Sequence, residues 1–308
     1  ADLNADGVAD MMVKPAIEQS GVFFLLAHTR DGVPTGKFTR SLLVPLASAW
    51  AAMPMAEDLD GDGLMDLIFG DDLGSESDPD PRFMFLRGYR PWRISTAGFA
   101  DARDAALSYE SIQKQAQSID GTVEGEAAPQ ALAIGDINAD GALDLVVASQ
   151  GLGVHLGEMA ARIPVGRLLP PTTYLTDSAL RGLAVADFNH DGLDDVVVST
   201  YAHDEASQLR VYGGSLDGEL EVLAQWTGPA QVETLTVEDL DADGELDVVV
   251  GHRVEDEGGF TYGTLTTWLG EGLDGSGELV FGDGTETTLL DEWASPVGLE
   301  SFDFSGDG

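Results

Sequence analysis

Carboxylate-rich stretches of nine residues recur along this sequence, and their side-chain types and spacing suit the binding of a hard cation. They read DLNADGVAD at residues 2–10, DLDGDGLMD at 58–66, DINADGALD at 136–144, DFNHDGLDD at 187–195 and DLDADGELD at 239–247; a sixth, DFSGDG, occupies 303–308. Positions 1, 3 and 5 of the copies are Asp2, Asn4 and Asp6; Asp58, Asp60 and Asp62; Asp136, Asn138 and Asp140; Asp187, Asn189 and Asp191; Asp239, Asp241 and Asp243; and Asp303, Ser305 and Asp307. Position 6 is always Gly, and position 9 of the complete copies is Asp10, Asp66, Asp144, Asp195 or Asp247. Oxygen donors at alternate positions can converge on one ion, and the glycine lets the backbone turn sharply enough to close the ring. The carbonyl of position 7, at Val8, Leu64, Ala142, Leu193 or Glu245, is the expected further ligand. The expected cofactor is Ca²⁺.

A helix-flanked calcium loop would need a bidentate Glu at position 12. That position holds Val13, Phe69, Val147, Val198 and Val250, none of which can ligate. Instead each ninth-position Asp runs into an apolar, largely β-branched segment: MMV, LIF, LVV, VVV and VVV. Such runs are strands buried on both faces, so the loop feeds a strand. A D-x-[DN]-x-D-G-x-x-D loop followed by a strand resembles the FG-GAP or VCBS repeat of integrin-α-like β-propellers, and the copies span essentially the whole chain. The resemblance implies an all-β propeller of four-stranded blades, with each loop joining the first two strands of its blade and a structural metal in it. Seven blades are usual in that family, whereas the intervals here give five to six units. The sequence opens inside one loop and stops inside another, and is expected to be a fragment of a longer propeller.

The 308 residues suit a repeat architecture, which grows by adding units rather than by enlarging one core. With 15 Lys and Arg against 55 Asp and Glu, the net charge of -40 argues against nucleic acid and anionic membrane surfaces. Five divalent cations would reduce it to about -30. No cysteine is present, so metal is the available substitute for disulfide staples. Oxygen-rich loops of this kind fill at millimolar extracellular calcium, which places the protein outside the cell, secreted or at the surface. No run of about eighteen apolar residues exists to span a membrane.

Strands are expected at residues 11–14, 22–27 and 38–44, then 51–57 leading into the second loop and 83–86 after it. The gap from Asp58 to Asp136 is 78 residues, against 51 and 52 for the next two intervals, so residues 71–128 hold an insertion. Ala102, Ala105, Tyr109, Ile112, Ala116 and Ile119 fall at helical spacing, predicting a helix over about 100–118. The third blade is expected at 131–149, 154–156 and 167–174, with Pro170 and Pro171 marking an edge strand. The fourth takes 182–186, 195–200, 209–212 and 219–226. The fifth takes 234–237, 247–251, a Gly-rich hairpin at 260–269 and an outer strand at either 279–281 or 287–290, and 297–302 opens another unit.

Catalytic signatures are absent: there is no G-x-S-x-G, H-E-x-x-H or C-x-x-C. GVPTGK at 32–37 has one residue too few between its glycines for a phosphate loop and reads as a hairpin turn. His28, His155, His190, His203 and His252 are scattered, each expected at the surface or in a turn. Trp50, Trp92, Trp226, Trp268 and Trp293 are expected to fill space between blades, while Tyr89, Trp92, Tyr201 and Tyr262 are the candidates for stacking on a sugar ring. The expectation is a non-enzymatic binding or adhesion scaffold for a protein or glycan ligand. Its rivals are a lectin-like propeller and a propeller domain of a polysaccharide-degrading enzyme. Specificity needs segments that differ between repeats, so a partner is expected to contact residues 71–81, the insert and 255–262.

Overall fold

The structure, a computed structural model, describes residues 8–13, 21–30, 33–40, 44–45, 55–61, 63, 65–71, 82–86, 117–119, 130–175, 178–201, 205–255 and 261–288. Every regular element among them is a strand, so the architecture is all-β, as expected. No helix among the described residues is long and apolar enough to cross a membrane. The chain forms two compact units, Ala1–Pro129 with Gly157–Pro170, and Gln130–Leu156 with Pro171–Gly308.

In the first unit, β1 (Met11–Val13), β2 (Gly21–Arg30) and β3 (Val33–Arg40) form an antiparallel sheet to which β4 (Val44–Pro45) adds on β2. A second sheet runs in chain order through β5 (Met55–Glu57), β6 (Asp66–Asp71), β7 (Arg82–Leu86) and β8 (Gln117–Ile119). The second unit begins with β9 (Ala131–Gly135), β10 (Asp144–Ala148) and β11 (Gly151–His155). The chain then makes a hairpin belonging to the first unit, β12 (Gly157–Ala160) with β13 (Ile163–Leu168), before β14 (Thr172–Leu175) completes the sheet in the order β14-β11-β10-β9. The next sheet is a plain meander of β15 (Leu180–Ala186), β16 (Asp195–Thr200), β17 (Gln208–Gly213) and β18 (Glu221–Thr227). The last comprises β19 (Val232–Glu238), β20 (Asp247–Glu255) and β21 (Thr261–Trp268), a side hairpin of β22 (Gly270–Leu273) with β23 (Leu279–Phe281), and β24 (Thr285–Thr288) pairing with β21.

The three sheets of the second unit lie side by side with their first strands, β9, β15 and β19, adjacent. Successive four-stranded antiparallel meanders packed in this way are propeller-like blades. Burial explains why the second strands are so apolar. Val196 and Val198 of β16 pack with Ile137, Val146, Val154 and Tyr212 in one core cluster, while Val197 packs with Phe188, Val248, Val250 and Trp268 in the next. Alternate residues of one strand thus serve two cores, and fully burying each Val or Leu contributes about 1.5–3 kcal/mol. Close approach of the inner strands needs glycine: a Cβ on Gly182 would lie 2.7 Å from the Leu235 Cβ on β19.

Several expectations change. The helix-spaced residues 102, 105, 109, 112 and 116 lie outside the described residues, and Ile119, the last of that series, is in strand β8, opposite Phe83. Within GVPTGK, Val33–Lys37 belong to β3 instead of a turn; β3 pairs back on β2 from Arg30↔Val33, with Gly36 accommodated at a φ of 69°, while Gly32 lies outside the described residues. The β12–β13 hairpin is additional to the expected strands. Residues 261–268 form one strand instead of a hairpin of their own, because they pair along β20 from Glu255↔Thr261 to Val248↔Trp268. The outer strand that joins the fifth sheet is β24, which shares only Thr287 and Thr288 with the expected 287–290, residues 289–290 lying outside the described residues; residues 279–281 pair with β22 alone.

Candidate metal centres

Each described loop lies between the first and second strands of its sheet, and its ninth residue is the first residue of the second strand: Asp66, Asp144, Asp195 and Asp247. All four are fully buried, which a carboxylate tolerates only when its oxygens are bonded. One oxygen accepts the N–H of position 2: Leu59 to Asp66 at 3.1 Å, Ile137 to Asp144 at 2.8 Å, Phe188 to Asp195 at 2.9 Å and Leu240 to Asp247 at 2.7 Å. The other reaches a backbone N–H at the far end of the third strand, Gly214 for Asp195 at 3.0 Å and Gly270 for Asp247 at 2.8 Å. In the first loop the N–H of Ala27, within β2, donates to Asp10 at 2.7 Å. The ninth residue is therefore a latch between loop and sheet. The glycine that recurs after the third strand, at 214 and 270, is the sequence signal for its partner. At 214 a side chain is excluded, since its Cβ would lie 2.5 Å from the carbonyl oxygens of Ile137 and Asp194.

The first residue organises the rest of the ring. Its carboxylate accepts the N–H of the position-6 glycine: Gly63 to Asp58 at 2.7 Å, Gly141 to Asp136 at 2.9 Å, Gly192 to Asp187 at 3.0 Å and Gly244 to Asp239 at 2.9 Å. In loops three to five it also accepts the position-5 N–H, from Asp140, Asp191 and Asp243 at 3.0 to 3.2 Å. Position 5 in turn accepts the N–H of position 7, Ala142, Leu193 or Glu245, at 2.8 or 2.9 Å. These bonds hold the oxygens of positions 1 and 5 on the inside of the turn. They require left-handed backbone at position 6, where Gly141, Gly192 and Gly244 have φ of 88°, 85° and 96°, and at position 4, where Ala139, His190 and Ala242 have φ of 51°, 57° and 60°. A non-glycine residue takes that conformation at a cost of about 1–2 kcal/mol, which the ring of hydrogen bonds offsets.

Carboxylates converge as a cation site would require. Asp58, Asp60 and Asp66 each offer an oxygen within 4.8 Å of the others, as do Asp239, Asp241 and Asp247. In the third and fourth loops position 3 is an amide, and Asn138 Oδ1 and Asn189 Oδ1 accept the N–H of Asp140 and Asp191 at 3.1 and 2.9 Å. Burial pushes Asp195 up to about 6, against the pull of its bonds from Gly214 and Phe188, with Asp191 and Asp187 adding to the rise. Asp241 is also raised, by desolvation and then by Asp243, Asp247 and Asp239. Carboxylates whose charges oppose one another gain from a cation between them, so the donor sets fit a hard divalent ion.

Not every expected ligand falls within the described residues. Asp2, Asn4, Asp6, Asp62, Leu64, Asp303, Ser305 and Asp307 lie outside them, as do Tyr89, Trp92, His203 and residues 72–81 and 256–260. His190, exposed at position 4, bridges to the Glu245 carboxylate of the next loop at 3.3 Å. His155 and His252 correct the surface expectation: both are buried, His155 in β11 and His252 in β20, where its Nε2 meets Thr266 Oγ1 at 2.9 Å. Trp226 and Trp268 do fill space between blades, with ring centroids 6.0 Å apart and Phe281 stacked on Trp226 at 4.5 Å. Tyr201 carries the Arg181 guanidinium 4.7 Å above its ring, and Tyr262 is half-buried in β21.

Residues 187–250 match the model of the FG-GAP-like repeat. The matched stretch runs from the start of the fourth loop through the fifth and into β20, one full period of the pattern described above. No curated protein matches the chain.

Proposed function

From a chain that carries an FG-GAP-like repeat within an all-β, propeller-like architecture, we propose that the protein is a calcium-stabilised extracellular scaffold that binds a protein or glycan without catalysis. The observation that carries this reading is the wiring of the loops. Each ring is closed by its own hydrogen bonds and tied to its sheet through a buried ninth-position Asp, so a cation held there acts on the fold. Asp58, Asp60 and Asp66 would hold it in the second loop; Asp136, Asn138, Asp140 and Asp144 in the third; Asp187, Asn189, Asp191 and Asp195 in the fourth; and Asp239, Asp241, Asp243 and Asp247 in the fifth. Bound calcium would supply the positive charge that these mutually repelling carboxylates lack. The acidity of the chain and its freedom from cysteine accord with a millimolar-calcium compartment, where weak oxygen-only sites fill.

The test is calorimetric melting of the full chain with 2 mM-scale calcium and with chelator. Weak sites with Kd of about 0.1–1 mM are stabilised at that concentration by roughly 0.7–1.8 kcal/mol each, so over four loops chelation should lower the melting midpoint by about 5 °C or more. An unchanged midpoint would remove the calcium reading. The segments at 71–81 and 255–262, with the insert, are our proposed contact regions, and a glycan array probed with the calcium-loaded chain separates a sugar ligand from a protein one.

A further inference from the structure

The eighth position of the loops is Ala9, Met65, Leu143, Asp194 and Leu246, so a carboxylate stands there in the fourth loop alone among the five complete copies. It does not face its own ring. Asp194 Oδ2 accepts the N–H of Asp136, the first residue of the third loop, at 2.7 Å, and the Asp194 N–H donates to the Asp136 carbonyl at 3.3 Å. The two residues are clasped by both main-chain polar groups of Asp136, across the gap between adjacent sheets.

Packing leaves the clasp no slack. A Cβ on Gly135 would lie 2.6 Å from Asp194 Oδ2 and 2.3 Å from Val185, and one on Gly214 would lie 2.5 Å from the carbonyl oxygens of both Asp194 and Ile137. The main chain at Asp136 sets where its carboxylate points, and that carboxylate receives Asp140 and Gly141 in the third ring. Asp194 itself sits between Leu193 and Asp195, the seventh and ninth positions of the fourth ring. Ordering the fourth loop therefore fixes the first ligand of the third.

We propose that the third and fourth loops form one coupled cation-binding unit, with Asp194 as the positioning residue that transmits occupancy between them. This rests on the reading that the loops hold calcium. By linkage the coupling is reciprocal. The fourth and fifth loops meet differently, through an exposed His190 to Glu245 contact with side chains 54% and 32% accessible. A pair so exposed contributes little, so the fifth loop supplies an internal control.

The experiment is a calcium titration of the full chain labelled with ¹⁵N-glycine, following the amides of Gly141, Gly192 and Gly244, which donate to the first carboxylate of loops three, four and five. In Asp194→Ala the Gly141 midpoint should move to about tenfold higher free calcium, with Gly244 unmoved. Asp194→Asn keeps an acceptor oxygen for the Asp136 N–H and should restore most of the affinity. Asp191→Ala, an exposed change that disables the fourth loop, should shift Gly141 in the same direction. A Gly141 midpoint that stays put in Asp194→Ala and Asp191→Ala, or that moves only in step with Gly244, overturns the coupling. If none of the three glycines responds to calcium in the unmodified chain, the calcium reading itself falls and this proposal with it.

Discussion

The two ends of the sheets in the second unit are held by opposite chemistry. Where β9, β15 and β19 finish, backbone N–H groups converge on aspartates, and neighbouring loops are joined by Asp136 with Asp194 and by His190 with Glu245. Where β15 and β19 begin, a nearly buried Glu233 receives two guanidinium groups, Arg181 from the neighbouring sheet at 3.1 Å and Arg253 from β20 of its own sheet. Arg181 also lies over Tyr201. Two of only 15 cationic side chains in the protein are spent on that one carboxylate. One end carries its counter-charge within the chain, whereas the other leaves carboxylates facing one another. Among the described residues of this unit, it is the loop end that would gain from an external cation on the calcium reading proposed above.

The largest test of this contrast is Asp195→Ala. It removes the acceptor for two backbone donors, Phe188 and Gly214, in a fully buried position. Leaving them unpaired should cost about 3–5 kcal/mol, read by urea unfolding, and the fourth loop's share of the calcium response should vanish. Glu233→Ala should cost less, about 1–2 kcal/mol, because Arg181 and Arg253 are each about a third exposed and water can take over their pairing. That loss should be the same in calcium and in chelator. Were Glu233→Ala to change the calcium dependence, the division between the two ends would break down.

The smallest effect is a pH dependence at the Glu233 end. Burial lowers the His252 pKa below its ordinary 6.5, outweighing the nearby Glu286. A histidine whose folded pKa is depressed is protonated more readily in the unfolded chain, so its neutral form stabilises the fold fully above about 6.5, and that contribution is lost as pH falls below it. In calcium-loaded protein, His252→Gln should flatten the stability profile from neutral pH downward through this range. An identical slope in the variant would assign the pH response to other groups.

Legibility followed the range of the interactions. The loop pattern was readable because its donors are contiguous: Asp187 to Asp195 close their ring with bonds spanning two to seven residues. The strands after each loop were readable because Val196, Val197 and Val198 must be buried on both sides. His155 and His252 depart from the surface expectation because residue type alone does not say which cavity between sheets a strand position faces. Val33–Lys37 depart from the expected turn because Gly36, with its positive φ, sits inside β3, where pairing with β2 overrides its turn propensity. The β12–β13 hairpin gave no periodic signal, lying as it does outside the repeat.

The all-β class, the repeated oxygen-rich loops and the strand that leaves each one follow from neighbours along the chain and from solvent aversion, and so are written in the amino-acid order. What the ninth aspartate does with its oxygens depends on the packed fold, because Gly214 and Gly270 approach it from 19 and 23 residues away. The same packing makes Asp194 serve the loop before its own, 58 residues back at Asp136. A local code can specify a ring of ligands, but the partner that holds the ring in place arrives by packing of one sheet on the next, and no spacing in a single repeat records it.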